Sequence, residues 1–216
     1  VLRRGYGHSA GGWAERYGAC QNPNYLKAAE ASSEDLHTTI NYLATLPQFD
    51  LSRMIAVGVS AGGLATVALT ADAPPKGLVA AISFAGGRGS KADETVCEED
   101  KLISTFGVLG KTSRVPMLWV YAENDHFFNP TLAEKFLKAF NAAGGNATLD
   151  IVPAYSTEGH FLFSTAGIPT WTPIVDAFLK KHQLVLLDDP LPLPDLSNIP
   201  APTPVSYTHL TLPTKA

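Results

Sequence analysis

Residues 53–64 read Arg-Met-Ile-Ala-Val-Gly-Val-Ser-Ala-Gly-Gly-Leu, and this stretch decides the fold. The apolar run 54–59 has no polar interruption, which predicts a strand buried on both faces. The small apolar residues that follow predict a helix directly behind that strand. Ser60 therefore lies on a strand-to-helix turn, where Gly58 and Gly62 allow the backbone to hold the serine hydroxyl beyond the sheet edge. A simpler interpretation is that the serine only caps the helix.

The rest of the chain alternates between strand and helix patterns. Apolar runs bounded by Gly, Pro or polar turns predict strands, and spaced apolar residues predict helices. Strands are expected at 78–84, 116–121 and 147–153, helices at 25–46, 132–140 and 171–182, and a long loop with a small helix at 88–114. This order implies parallel strands joined by right-handed crossovers. The predicted fold class is therefore α/β, an open, mostly parallel sheet with helices on both faces.

Three residues of complementary chemistry follow the predicted strands. Ser60, Asp125 and His160 each come after a strand, and ligands bind at the carboxyl ends of strands in such sheets. A serine hydroxyl is a weak nucleophile at neutral pH, so it needs a general base, and the base needs a carboxylate that orients it. We therefore expect Ser60, Asp125 and His160 to form a catalytic set. His126 is a weaker candidate for the base. Glu158, two residues before His160, is a candidate to adjust the properties of His160 as a base.

Attack by Ser60 on a carbonyl group would place negative charge on the carbonyl oxygen, which needs hydrogen-bond donors. The backbone N–H of Ala61, directly after the serine, is the expected first donor. The second donor normally comes from a loop after an earlier strand, and that strand would precede residue 1. The chain has no initiator methionine and opens on a glycine-dense turn at 4–12. We therefore expect a fragment that lacks the first strands of its sheet and the second donor.

Composition limits the classes of function. The 216 residues are 45% hydrophobic and 17% charged, which is typical of one globular domain. A net charge of −4 without a long basic run argues against a nucleic-acid partner. No apolar stretch reaches the about 20 residues of a membrane span. No cysteine or histidine spacing is typical of a metal site, and neither a metal nor a cofactor is expected.

The chain changes character near its end. The domain is expected over 1–185, and prolines from Pro190 onward predict a disordered tail over 186–216. Residues 205–216 resemble the translation product of sequencing-adapter read-through, so they are excluded from functional reasoning.

The two cysteines, Cys20 and Cys97, leave two alternatives open. They are either ordinary free thiols or one disulfide of an exported protein. A disulfide would indicate a periplasmic or secreted protein, and free thiols would indicate a cytoplasmic one.

Residues 3–9, 58–63, 123–125 and 159–160 together resemble the dienelactone hydrolase branch of the α/β-hydrolase superfamily. The resemblance extends over roughly residues 1–185. It implies the α/β-hydrolase fold, in which the nucleophile, acid and base follow one another in this chain order. It also implies that a central strand of the sheet would be missing from the chain.

The resemblance implies a serine hydrolase that cleaves a small or medium carboxylic ester. Ser60 would form an acyl-enzyme, and His160 would activate the water that releases the acid. True dienelactone hydrolases use cysteine as the nucleophile, so the serine argues against a dienelactone substrate. Two alternatives are a serine peptidase related to the prolyl oligopeptidases, and a non-catalytic binding module that keeps the hydrolase shell. The expected partner is a small-molecule ester, and the sequence leaves the oligomeric state open.

Overall fold

Alternating strands and helices build one parallel sheet, which the computed structural model describes over residues 1–184. The elements in chain order are α1 (Tyr25–Leu43), β1 (Met54–Val59), α2 (Ala61–Leu69), β2 (Leu78–Phe84), β3 (Ser90–Ala92), β4 (Thr95–Val96), α3 (Glu99–Gly110), β5 (Met117–Ala122), α4 (Pro130–Ala142), β6 (Ala147–Val152) and α5 (Ile168–Lys181). A short 3₁₀ turn, Gly159–Phe161, precedes α5.

The main sheet has the strand order β1-β2-β5-β6, and every pairing in it is parallel. Val59 pairs with Phe84, and Ala122 pairs with Val152. The carboxyl ends of neighbouring strands therefore meet at one edge of the sheet. β3 and β4 form a separate antiparallel hairpin. The prediction of an open, parallel α/β sheet is confirmed.

β5 shows how the centre of the sheet is buried on both faces. Met117, Trp119 and Tyr121 contribute to a core shared with α1, α2, α3 and α4. Leu118 and Val120 contribute to a second core that includes α5. Since side chains alternate across a strand, burial on both sides requires an uninterrupted apolar run. All six residues of β5 are buried, and helices lie on both faces as expected.

β1 corrects the expectation that it is buried on both faces. Its burial alternates along the strand, and Ile55, Val57 and Val59 are 38%, 49% and 39% exposed. β1 is an edge strand within residues 1–184. The core that α5 helps to form contains buried side chains of β2, β5 and β6, but none of β1. The apolar run therefore predicted the strand correctly, but the expectation that both of its faces are buried was wrong.

Residues 88–114 contain more regular structure than the expected loop with a small helix. They include the β3-β4 hairpin and the 12-residue helix α3. Leu102, Phe106 and Leu109 recur at helical spacing and pack into the first core. α1 ends at Leu43, before the expected end at residue 46.

The predicted tail over 186–216, including 205–216, lies outside the described residues. The single domain over 1–185 stays a prediction. Within residues 1–184, no helix has the length and apolar character needed to cross a membrane.

Candidate active site

Ser60 lies between β1 and α2 in a backbone conformation that is costly for a residue with a side chain. Its φ is 55° and its ψ is −123°, and such conformations cost about 1–3 kcal/mol. The Ser60 N–H donates to the Phe84 carbonyl oxygen at 2.9 Å, and the Ser60 carbonyl accepts from the N–H of Gly87 at 3.1 Å. The hydroxyl makes no capping hydrogen bond to α2. The interpretation of Ser60 as a helix cap therefore lacks the hydrogen bond that defines a cap.

Two glycines allow α2 to pack closely against the sheet. A side chain at Gly58 would collide with the backbone of Gly62 and with the Thr66 hydroxyl. A Cβ at Gly63 would lie 2.6 Å from the Ser83 hydroxyl oxygen. At Gly62 the nearest atom to an added Cβ is 3.6 Å away, which is an ordinary contact. The steric requirement therefore rests on Gly58 and Gly63, whereas the sequence pattern had assigned it to Gly58 and Gly62.

Asp125 and His160 form a buried pair on adjacent loops. Asp125 follows β5, and His160 lies on the 3₁₀ turn after β6. His160 Nδ1 is 3.2 Å from each carboxylate oxygen of Asp125. Asp125 Oδ1 also accepts from the backbone N–H groups of Phe127 and Phe128, both at 2.9 Å. With a proton on Nδ1, the imidazole donates to this fixed carboxylate, which leaves Nε2 as the acceptor.

Further hydrogen bonds join the two loops that bear this pair. Glu158 Oε1 accepts from the backbone N–H of His160 at 2.9 Å and from that of His126 at 3.2 Å. Asn124 Oδ1 accepts from the Tyr155 N–H at 2.8 Å, and Asn124 Nδ2 donates to the Tyr155 carbonyl at 3.2 Å. The Asn124 carbonyl also accepts from the Gly159 N–H at 3.0 Å, so both side-chain and backbone bonds hold the loop after β6 against the loop after β5.

Aromatic side chains surround the His160 imidazole. The Phe127 ring stacks on it with a centroid distance of 4.2 Å and an interplanar angle of 22°. Phe161 meets it edge-on at 5.9 Å. Phe127 and Phe161 are 37% and 61% exposed, so these rings lie where the site opens to solvent. Sequence reasoning assigned no role to Phe127, although its position two residues after Asp125 suits contact with the same imidazole.

Ser60 is not hydrogen-bonded to the Asp125–His160 pair within the described part of the chain. Catalytic hydrogen bonds are often long in enzymes without substrate and tighten when it binds. A cavity of about 510 Å³ opens beside Ser60, and Val57, Val59 and Ala61 are among its lining residues. Ala61 is the first residue of α2, so its N–H has no acceptor within the helix.

The other candidate base makes a different contact. His126 Nδ1 lies 3.6 Å from Glu94 Oε1, and its side chain is 40% exposed. Its backbone, rather than its ring, contacts the site through Glu158. Among residues 1–184, no three or more His, Cys, Asp or Glu side chains are grouped so that they could hold a metal ion.

A buried charged cluster that sequence reasoning missed includes a residue of the Ser60 cavity. The Glu15 carboxylate is fully buried, forms ion pairs with Arg3 and Arg88, and accepts from the Tyr6 hydroxyl at 2.9 Å. Burial by itself would raise the pKa of Glu15, but the hydrogen bond from Arg3 and the charge of Arg88 outweigh it and lower that pKa. Arg3 also lines the cavity beside Ser60. No spacing reveals this cluster, because Glu15 and Arg88 lie in distant glycine-rich segments.

Cys20 and Cys97 are joined by a disulfide across a sequence separation of 77. It ties the segment before α1 to the segment between β4 and α3. Tyr25 supports the same junction, because its hydroxyl donates to the Cys97 carbonyl at 2.5 Å. Of the two alternatives for these cysteines, the structure contains the disulfide.

Comparison with known proteins identifies one family. The sequence profile of the dienelactone hydrolase family matches residues 14–167, more than half of the chain. No curated protein matches the chain.

Solved structures resemble this chain in fold. An esterase from Pyrococcus furiosus has a TM-score of 0.50 at 13% identity, covering 69% of this chain and 61% of that chain. Esterase B from Lactobacillus rhamnosis has a TM-score of 0.52 at 19% identity, with coverages of 72% and 62%. An acylaminoacyl peptidase from Pyrococcus horikoshii has a TM-score of 0.53 at 14% identity, with coverages of 77% and 29%. The aligned part of this chain therefore spans less than two thirds of each of them, and the predicted α/β-hydrolase fold is confirmed.

Proposed function

The chain belongs to the dienelactone hydrolase family, and from this membership we propose that it is a serine hydrolase of small or medium carboxylic esters. Ser60 is the nucleophile, His160 the general base, and Asp125 the carboxylate that orients the base. The observation that supports this most is the buried pair in which His160 Nδ1 lies 3.2 Å from both oxygens of Asp125. The pair lies at the same edge of the sheet as the strained Ser60 turn.

In the proposed acylation step, Ser60 Oγ attacks the ester carbonyl carbon while His160 Nε2 accepts the hydroxyl proton. Negative charge moves to the carbonyl oxygen, where the Ala61 N–H stabilises it. The tetrahedral intermediate then breaks the bond to the alkoxy oxygen, which takes the proton from His160 and leaves as an alcohol. Asp125 stays ionised throughout and stabilises the imidazolium.

In the proposed deacylation step, water takes the place of the alcohol. His160 accepts a proton from the water, whose oxygen attacks the acyl carbon. The bond to Ser60 Oγ then breaks, the serine regains its proton from His160, and the carboxylic acid leaves. The second oxyanion donor, predicted to precede residue 1, stays a prediction.

The variant Ser60→Ala tests the proposal. Loss of the nucleophile should lower kcat for a p-nitrophenyl ester by about six orders of magnitude. Ser52→Ala is the matched control, because Ser52 is exposed and precedes the opposite end of β1; it should keep wild-type activity. Hydrolysis that persists in S60A at the wild-type rate would falsify the proposal.

A fluorophosphonate probe separates this proposal from the two alternatives. An enzyme with a catalytically active triad should be labelled at Ser60, whereas a non-catalytic binding module should not be labelled at all. A serine peptidase would also be labelled, but it should hydrolyse acylated amino-acid anilides as well as the corresponding p-nitrophenyl esters. We expect this chain to hydrolyse the esters and to leave the anilides intact.

The disulfide supports a proposal for the compartment. Disulfides persist in oxidising environments and are rare in the cytosol. We therefore propose that the protein works in the periplasm or outside the cell. Thiol titration of the unfolded protein, purified without reductant from its native host, should find no free cysteine, whereas two free thiols would support the cytoplasmic alternative.

A further inference from the structure

One carboxylate oxygen joins the residue after the proposed acid to the proposed base. Glu158 Oε1 accepts from the backbone N–H of His160 at 2.9 Å and from the backbone N–H of His126 at 3.2 Å. His126 follows Asp125 directly in the chain. The two bonds therefore tie together the two loop segments whose side chains must meet.

The separation of Asp125 and His160 depends on such links, because their loops follow different strands. Asn124 also crosses between the loops, but its side chain bonds the backbone of Tyr155, near the beginning of the β6 loop. Glu158 instead bonds the N–H of His160 itself. The Asn124 carbonyl also accepts from the Gly159 N–H at 3.0 Å and so holds the first residue of the turn, whereas Glu158 bonds the N–H of the residue that carries the imidazole.

The turn that bears His160 is closely packed at one side and depends on Glu158 at the other. A Cβ at Gly159 would lie 2.7 Å from the Ala122 Cβ and 2.7 Å from Asn124 Oδ1, so the turn lies directly on the end of β5. Glu158 is the N-cap of the turn, and its side-chain oxygen accepts the hydrogen bond from the N–H of His160. Without this cap, the turn keeps its contact with β5 and the bond from the Gly159 N–H to the Asn124 carbonyl at 3.0 Å, but loses the bond at the N–H of His160.

We infer that Glu158 is a positioning residue for the proposed esterase reaction. It does not touch the reacting atoms. By holding the turn, it keeps His160 Nδ1 against Asp125, which leaves Nε2 free to accept the Ser60 proton in the proposed reaction. This inference rests on the proposed function, because it assigns Glu158 a part in the same reaction.

Three substitutions of Glu158 in the full chain test this role. Glu158→Ala removes both hydrogen bonds and should lower kcat by about 10- to 100-fold, since displacements near 1 Å cost about that much. KM should stay within about threefold, because Glu158 does not bind substrate. Glu158→Gln keeps an acceptor oxygen at the same reach, so its kcat should stay within about threefold of the wild type. Glu158→Asp keeps the charge but is one methylene shorter, so it should behave like the alanine variant.

Glu123→Ala is the matched control. Glu123 directly follows β5, is exposed, and makes no side-chain hydrogen bond within the described residues. Its replacement should leave kcat and KM unchanged. Thermal unfolding of every variant separates loss of fold from loss of position, and if E158A does not fold, the comparison of E158Q with E158D still decides.

Three results would overturn the inference. The first is a wild-type kcat in E158A. The second is a loss in E158Q as large as in E158A, which would assign the effect to charge. The third is a change confined to KM. S60A, measured in parallel, keeps the two proposals distinct: activity in S60A rejects the esterase mechanism, whereas an inactive S60A beside a normal E158A rejects only the role of Glu158.

Discussion

Replacing Asp125 by asparagine tests the proposed site at its most buried point. The Asp125 carboxylate is inaccessible to solvent, and its Oδ1 accepts from the N–H groups of Phe127 and Phe128 at 2.9 Å. In D125N the amide oxygen can keep both backbone bonds, which turns the amide NH₂ group toward His160. A donor at that place requires Nδ1 to become the acceptor, so the imidazole proton moves to Nε2. Nε2 then cannot accept the proton of Ser60.

If the proposed triad operates, kcat of D125N should fall by about 10⁴-fold, the size of effect that the wrong histidine tautomer produces in a serine protease triad. This corresponds to about 5.5 kcal/mol in the activation free energy. The free energy of unfolding should change by only about 1–2 kcal/mol, since the two backbone bonds remain. Initial rates on a p-nitrophenyl ester and urea unfolding measure the two quantities. Asp150→Asn, exposed on β6, is the control. If D125N keeps more than about a tenth of wild-type kcat, Asp125 does not orient the base.

Two further predictions concern stability. Glu15→Gln should lower the free energy of unfolding at pH 7 by about 3–5 kcal/mol, because it leaves the buried charge of Arg88 and the partly buried charge of Arg3 without a carboxylate. Folding lowers the Glu15 pKa, so the stabilisation that Glu15 contributes is complete above its unfolded pKa of about 4.3 and is lost as pH falls through its folded pKa. Urea unfolding at pH values from 6 to 3 should therefore show a smaller fall in the free energy of unfolding toward acid in E15Q than in the wild type. An equal fall in the two proteins would contradict this. Reduction of the Cys20–Cys97 disulfide should lower the free energy of unfolding by about 4–5 kcal/mol, from the loop-closure entropy of its 77-residue separation. Equal urea midpoints with and without reductant, after thiol titration has shown complete reduction, would reject that estimate.

Local patterns predicted the elements whose surroundings are uniform along their length. β5 is buried on both faces, as an uninterrupted apolar run predicts, and the predicted strand at 116–121 matches Met117–Ala122 closely. The turn at Ser60 was predictable because its G-x-S-x-G pattern lies within five consecutive residues between a strand and a helix, so it depends on no distant segment. Ser60, Asp125 and His160 could be placed at one edge of the sheet because each follows a strand of a parallel sheet.

Features that depend on distant segments were not predictable in the same way. The exposed face of β1 depends on which strands the core around α5 reaches, and no residue of β1 itself encodes that. The Glu15 cluster joins residues from three separate segments, none of which has a spacing that suggests an ion pair. Glu158 could be noticed near His160, but its two hydrogen bonds depend on how two loops pack.

Strand order explains why the proposed base, His160, needs support of its own. Neighbouring strands lie about 4.8 Å apart, so β6 is about 14 Å from β1 in the order β1-β2-β5-β6. His160 follows β6 and Ser60 follows β1, so the loop after β6 must turn back across the end of β5 for the imidazole to approach the serine. Asp125 lies where that path crosses, at the end of β5, and bonds the imidazole on the way. A loop that spans this distance can shift more easily than the strand ends that hold Ser60 and Asp125. We therefore expect the Glu158 bonds to affect kcat even though Glu158 touches no reacting atom.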